Sequence, residues 1–333
     1  MSPTAKRTFH WVLTIATIAL LGVLARKVDW PATLGALRGA DPRLLAAAVA
    51  VNFLGLGVKA LSWWVFLRPI GARSVWLAVR AAFAGSGLNN VLPANGGDAA
   101  RVVFVTRAAG VPPSTALATI ALDRIFDLVG YVLFLGVAPL VIPLPDIVAR
   151  WRWAALGLLV PLGGFLFFLL RRGVHHRASG HMLDEVAGEA VPHSLWARGR
   201  RHASHFSRSV SALATGPRFF WAAVLTLGFW VSQVVTFAIV ARAAGLRLPL
   251  AGHVATALAV NVSFLLRPTP GNVGFFQLVY ALTAAAFGVP RHNAIAVALL
   301  IQALQIVPTT VVGIALAPEF VFRRARTAET AAD

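Results

Sequence analysis

Eight ionisable residues fall within, or at breaks in, segments otherwise built of Ala, Val, Leu, Ile and Phe. They are Lys59, Arg80, Arg101, Arg124 and Arg267 on the basic side, and Asp98, Asp123 and Asp127 on the acidic side. A charge at the centre of a hydrocarbon layer costs at least about 2.5 kcal/mol, so such residues face a counter-charge or a watery cavity. Asp123 and Asp127 are four residues apart and share one face of a helix, with Arg124 beside that stripe. Two chemistries are open to this set. The charges either form an ion-paired buckle that holds helices together, or leave an arginine only partly neutralised as a clamp for phosphate oxygens, which guanidinium binds bidentately.

Turn formers and amides gather next to these charges. The run Asn89-Asn90-Val91-Leu92-Pro93-Ala94-Asn95-Gly96-Gly97-Asp98-Ala99-Ala100-Arg101 interrupts an apolar region. If a helix restarts there, its first backbone amides point at an anion, with Asp98 as a cap, Arg101 one turn on, and Asn90, Asn95, Gly96 and Gly97 lining the tip. The alternative is a capped turn satisfied by itself. A counterpart lies at Arg267-Pro268-Thr269-Pro270-Gly271-Asn272-Val273-Gly274, which carries a basic residue and no acid. The two tips are therefore chemically unequal.

The elements that must position these residues are apolar. Of 333 residues 58% are hydrophobic and 13% charged, more apolar surface than a water-soluble domain of this length can hide. Runs long enough to cross roughly 30 Å of hydrocarbon appear at Phe9 to Ala25, Leu44 to Leu67, Trp153 to Leu170, Phe219 to Ala241 and Ala294 to Ala317, with Thr115 to Val141 as a charged sixth. Phe9 to Ala25 follows Lys6 and Arg7 but precedes no clear cleavage site, and it reads as a retained first helix. The chain has no cysteine, hence neither disulfide nor thiolate chemistry. Arginine outnumbers lysine 27 to 3 and alanine is abundant, the signature of a GC-rich bacterial genome.

The formal charge of +18 resides mostly between the apolar runs, where it orients the chain and meets anionic headgroups, so nucleic acid is not the expected partner. The polar stretch from Arg171 to Arg218 has eight arginines against three acidic residues, which places it in the cytoplasm together with the tail 323–333. Six of the nine histidines lie in that stretch without convergent carboxylates, so no metal site is expected. Trp63, Trp64, Trp151 and Trp153 sit near helix ends, as an interfacial belt requires.

Two regions are broken half-way: Val75 to Leu92 then Ala99 to Ala109, and Leu250 to Leu266 then Val273 to Phe287. Half-helix, irregular tip and half-helix is the pattern of a re-entrant hairpin, while two ordinary helices with an exposed turn is the plainer reading. The regions also match each other. At an offset of 178, Ala108, Gly110, Val111, Pro112, Ala116, Ala118 and Leu122 recur as Ala286, Gly288, Val289, Pro290, Ala294, Ala296 and Leu300, and Gly96 falls on Gly274. Threaded from a cytoplasmic N-terminus, the halves 9–141 and 153–317 acquire opposite orientation, with one hairpin dipping from each side of the membrane. The expected fold is an all-α polytopic protein: a single membrane domain over 1–322 with about six full transmembrane helices and two re-entrant hairpins in an inverted-topology repeat.

The order of Leu92-Pro93, Gly96-Gly97-Asp98 and Arg101, then Asp123-Arg124 with Asp127, then Pro270-Gly271 and Gly274 resembles the transmembrane domain of lysylphosphatidylglycerol synthase/flippase proteins and the stand-alone family sharing it. The resemblance implies a lipid flippase of a bacterial inner membrane, multi-pass, with both termini cytoplasmic. The synthase activity is not implied, because only about ten residues follow Phe322. Two departures stand out: Gln277 where the family pattern has glutamate, and Gln302 where it has arginine. Since Gln302 aligns with Arg124, the second half replaces an ionic pair by two amides. The expected ligand is an anionic phospholipid or polyprenyl-phosphate-linked lipid. It would be held by Lys59, Arg101, Arg124, Arg267, the three aspartates, the tip residues and the two glutamines, with no cofactor. A membrane-embedded transferase using a polyprenyl-phosphate donor, with Asp98 or Asp123 as general base, and a non-transporting assembly protein are the alternatives.

Overall fold

The computed structural model describes residues 30–91, 96–142, 146, 151–178, 209–210, 212–266 and 272–316. Among them every regular element is a helix. In order these are α1 (Trp30–Arg38), α2 (Pro42–Leu67), α3 (Val75–Val91), α4 (Gly96–Ala109), α5 (Pro113–Val141), α6 (Trp151–Ala178), α7 (Gly216–Ala243), α8 (Leu250–Leu266), α9 (Phe275–Ala285) and α10 (Arg291–Leu316). The expected first span, Phe9 to Ala25, and the tail lie outside the described residues, as does most of the basic loop.

Helix boundaries follow local chemistry. Asp41 precedes Pro42, and its Oδ1 accepts the Arg43 amide at 2.8 Å, a side-chain cap with proline at the first helical position. The repeated Gly-Val-Pro is a stop-and-restart signal. Gly110 and Gly288 both take positive φ, 67° and 76°, which ends α4 and the turn after α9 at no steric cost. Four residues beyond each proline the same bond recurs, Ala116 N to Pro112 O and Ala294 N to Pro290 O, both 3.0 Å. The sequence repeat is thus a repeat of backbone structure, and the helix series α2 to α5 and α7 to α10 share one order of a long, two short and a long helix.

Four helical segments are long and apolar enough to cross a membrane: Pro42–Ile70, Pro113–Val141, Gly216–Ala243 and Arg291–Leu316. They match four of the expected spans. The fifth, Trp153 to Leu170, lies in α6, whose apolar part Leu156–Arg171 is shorter. α6 also runs to Ala178, beyond the expected start of the basic loop at Arg171, and α1 is an element the apolar runs did not announce. Large apolar side chains such as Leu54, Val160, Phe167 and Val311 are more than half exposed, which water would penalise and hydrocarbon does not.

The chain divides into two compact units. One comprises 1–52, 141–149 and 233–308, the other 53–140, 150–232 and 309–333. In the first, α8 packs on α9, and Phe237 stacks obliquely against Phe276 and Tyr280 with ring centroids 6.2 Å away. In the second, α3 packs on α4, and an apolar core gathers Trp63, Leu67, Phe104, Val105 and Ile120, beside another built on Phe66, Leu122, Phe126 and Phe219.

The two expected hairpins therefore exist as pairs of packed short helices, and glycine sets the spacing of the first. A Cβ on Gly97 would run into the Gly85 carbonyl and lie 2.7 Å from Asn89 Oδ1. Gly97→Ala is expected to destabilise the protein by about 1–3 kcal/mol, because the obstacle is backbone and cannot move aside. Gly57, also helical, has nothing within 4 Å of the same added atom and serves as the control. Thermal unfolding in detergent checks the pair: equal melting temperatures for Gly97→Ala and Gly57→Ala would contradict the close approach.

Candidate functional site

Three helices of the second unit bring the ionisable residues together. α2 contributes Lys59, α4 contributes Asp98 and Arg101, and α5 contributes Asp123, Arg124 and Asp127. Lys59 pairs with Asp123 while Trp63 pairs with Thr119, so the contacts step forward on α2 and backward on α5 and the two helices run antiparallel.

The six charges form a closed circuit of alternating sign. Lys59 Nζ donates to Asp123 Oδ1 at 2.6 Å, and Asp123 Oδ2 accepts from Arg101 Nη2 at 3.0 Å. Arg101 Nη1 reaches Asp98 Oδ1 at 3.4 Å. Asp98 receives Arg124 through Nη2 at 2.6 and 2.7 Å and through Nε at 3.0 Å. Arg124 Nη1 then meets Asp127 Oδ2 at 3.3 Å, and Asp127 Oδ1 returns to Lys59 Nζ at 2.5 Å. Every member thus has two neighbours of opposite sign, and three cations balance three anions. In an apolar surround an unpaired charge costs several kcal/mol, and a circuit without ends leaves none unpaired.

Burial around the circuit is graded. The Asp123 side chain is fully buried, Arg101 is 7% exposed and Lys59 13%, whereas Arg124 is 46% exposed. The circuit therefore has a closed back and an open vertex. At the back, the Arg101 guanidinium lies 3.9 Å from the centre of the Trp63 ring, and Trp63 Nε1 donates to Thr119 Oγ1 at 3.0 Å. Thr119 in turn donates to Ala116 O at 2.7 Å. Trp63 is fully buried, which corrects its expected place in an interfacial belt, since its indole is the platform for Arg101. Trp153, by contrast, is 66% exposed.

The tip of the α3–α4 hairpin is satisfied from within. Asn89 Oδ1 accepts the Gly97 amide at 2.8 Å, and its Nδ2 lies 3.5 Å from Asp98 Oδ1. Asn89, rather than Asp98, caps the hairpin tip, which leaves the Asp98 carboxylate to Arg124 and Arg101. A Cβ at Gly85 would meet Arg101 Cγ at 2.5 Å, so the bare backbone there lets Arg101 cross α3. Asn90 turns elsewhere, its Nδ2 donating to Thr310 Oγ1 at 3.4 Å, and Gly96 opens α4. Asn95 lies outside the described residues.

Arg80 does not join the circuit. Its Nε donates to the Leu316 carbonyl at 2.7 Å, the acceptor-rich end of α10, and its guanidinium covers Phe104. The positive excess counted from the sequence therefore does not reside in this cluster. Sequence reasoning passed over Asn89, Trp63 and Thr119. For Trp63 a signal existed, because it stands four residues after Lys59 and so shares its face.

In the first unit the counterpart is built of amides. Gln277 Oε1 accepts the Gly274 amide at 2.6 Å, its Nε2 donates to Gln302 Oε1 at 2.6 Å, and both glutamines are buried. Gln305 Nε2 donates to Gln233 Oε1 at 2.7 Å. The two residues expected to stand in for an ionic pair thus do meet. Gly274 and the buried Asn272 take positive φ at the restart before α9, whereas Arg267, Pro270 and Gly271 lie outside the described residues.

The sequence matches the family described as the lysylphosphatidylglycerol synthase transmembrane region over residues 11–313, nearly the whole chain. The chain belongs to that family. Two curated proteins are similar to this family member. Glycosyltransferase AglD of Haloferax volcanii is 25% identical over 332 residues, covering 90% of this chain and 52% of that protein. A UPF0104 membrane protein of Pyrococcus horikoshii is 27% identical over 132 residues, covering 38% of this chain and 39% of that protein. The chain thus spans about half or less of these relatives. With its four long apolar helices, this member of the lysylphosphatidylglycerol synthase transmembrane-region family is a multi-pass membrane protein.

Proposed function

We propose that this protein is a lipid transporter of a bacterial inner membrane, which passes an anionic phospholipid or polyprenyl-phosphate-linked headgroup across the bilayer and performs no chemistry on it. The observation that carries the reading is the closed circuit with one open vertex. Its charge is balanced, so any group that enters must exchange with one of like sign. Arg124 is the member within reach of an entering anion, and its partners Asp98 and Asp127 each keep a second cation, Arg101 and Lys59. A lipid phosphate can therefore replace a carboxylate at Arg124 without stranding a bare charge at depth. The tail of the lipid stays in the bilayer and needs no path through protein.

Family membership supports the lipid reading, and the paired short helices support re-entrant hairpins around a midplane site. In this proposal both termini are cytoplasmic, the α3–α4 hairpin opens to the cytoplasm and the α8–α9 hairpin to the outside. The native chain has no cysteine, so single cysteines at Ala94 and Thr269 test this with impermeant thiol reagents. Labelling of both from one side would refute the inverted arrangement.

The similarity to a protein named a glycosyltransferase favours one second reading, a membrane-embedded transferase that uses a polyprenyl-phosphate donor. Purified protein in liposomes with labelled lipid separates the two. Movement to the other leaflet without a new product supports transport, and a new product supports the transferase.

A further inference from the structure

A second basic site lies away from the circuit, in the same unit. α2 ends in a short 3-10 turn at Arg68–Ile70, closed by Gly71 at φ 99°, and the Trp64 indole donates to Arg73 O at 2.9 Å, which folds the turn back over the helix end. The Arg68 guanidinium lies 5.5 Å from the centre of the Trp64 ring. Opposite stands the first turn of α7, where Arg218 donates to the carbonyls of Ala212 and Leu213 at 3.3 and 3.4 Å. Below, Ser62 joins the two helices through Ala222 O and Thr226 Oγ1. Between these walls is a cleft of about 930 Å³, with Arg68, Arg73 and Arg218 at its rim, Trp64 and Trp221 on its flanks and Leu61, Val65 and Leu225 further in.

Three features select the occupant. No acidic residue lines the cleft, so its three cations lack the internal balance that the circuit has. Indoles beside basic side chains at the ends of apolar helices are the chemistry of the headgroup layer. The apolar inner wall continues along two membrane-crossing helices, so it suits an acyl chain and would be left bare by a small soluble anion. The charge pattern puts the end of α2 and the start of α7 on the cytoplasmic side. We propose that this cleft is a seat for an anionic phospholipid of the inner leaflet, with its phosphate among Arg68, Arg73 and Arg218 and an acyl chain along Leu61, Val65 and Leu225. The lipid here is a resident that stabilises the protein, distinct from cargo meeting Arg124.

The test uses the full chain in nanodiscs of phosphatidylcholine with rising mole fractions of phosphatidylglycerol, read as thermal stability. The native protein is expected to gain stability with phosphatidylglycerol and not with inorganic phosphate. Arg68→Gln with Arg73→Gln is expected to raise the half-saturating mole fraction about tenfold or more, since each basic residue near the surface adds to lipid attraction. Arg124→Gln is expected to leave the titration unchanged. If the double variant yields too little folded protein, Arg73→Gln alone, an exposed side chain, is expected to shift the same curve by a smaller factor. Three results would overturn the proposal: an unchanged curve in the arginine variants, equal stabilisation by inorganic phosphate, or loss of the response in Arg124→Gln alone. The last would assign the lipid to the circuit, and transport in liposomes is scored separately, so neither conclusion depends on the other.

Discussion

Asp123→Asn is expected to destabilise the protein by about 3–5 kcal/mol, the cost of breaking a buried ion pair from one side. The substitution keeps shape and removes one charge. Lys59 then retains only Asp127 and Arg101 only Asp98, and the circuit acquires a net positive charge where water cannot reach, since the Asp123 side chain is fully buried. Membrane proteins and soluble domains alike have little stability to spare, so the variant should be recovered in low yield with a clearly lowered melting temperature. Neutrality, rather than any single bond, is what the circuit protects. Lys59→Gln combined with Asp123→Asn restores the balance and leaves Arg101, Asp98, Arg124 and Asp127 as an alternating chain. The double variant is therefore expected to recover at least half of the lost stability, against the additivity shown by independent sites. Additive losses in a double-mutant cycle would show that these charges act separately.

Arg124→Gln is expected to do the reverse: retain the fold and lose lipid movement. Arg124 is the open vertex, and ion pairs at exposed positions contribute about 0–1 kcal/mol to stability. Asp98 and Asp127 each keep a cation when it is removed. Its value to a passing phosphate is larger, because a charge-assisted hydrogen bond contributes about 1.5–3 kcal/mol. At 1.4 kcal/mol per factor of ten, the rate of labelled-lipid movement in liposomes should fall by roughly one to two orders of magnitude. Two outcomes contradict this. If the variant aggregates and Asp98→Asn restores it, Arg124 is part of a structural buckle. If the folded variant moves lipid at the native rate, the open vertex is not on the path. Lysine at position 124 is an informative intermediate, because it keeps the charge but loses the two-pronged grip on Asp98.

Much of this architecture is local information, and local information is written in the residue order. The four long helices follow from the length of their apolar runs, and the two hairpins follow from turn formers inside apolar segments. The Gly-Val-Pro pair reports its own backbone, since only glycine adopts the positive φ at Gly110 and Gly288 without strain, and proline restarts the chain after it. The residues of the circuit were legible as a set for a thermodynamic reason, because a charged side chain in an apolar run has to be compensated somewhere.

Which charge compensates which was decided only by tertiary structure. Lys59 and Asp123 are 64 positions apart, and nothing along the chain announces their contact. Counting charges suggested a positive interior. The fold instead draws Arg80 to the carbonyl end of α10 and leaves three cations facing three anions. Asn89 took the cap expected of Asp98, and Trp63 became the buried floor beneath Arg101, because the glycine-spaced approach of α3 and α4 determines which polar atom reaches which amide. Apolar length and backbone propensity act between neighbours in sequence, so they can be read there. Coulomb attraction acts between neighbours in space, and its partners are settled by the packing of α2, α4 and α5.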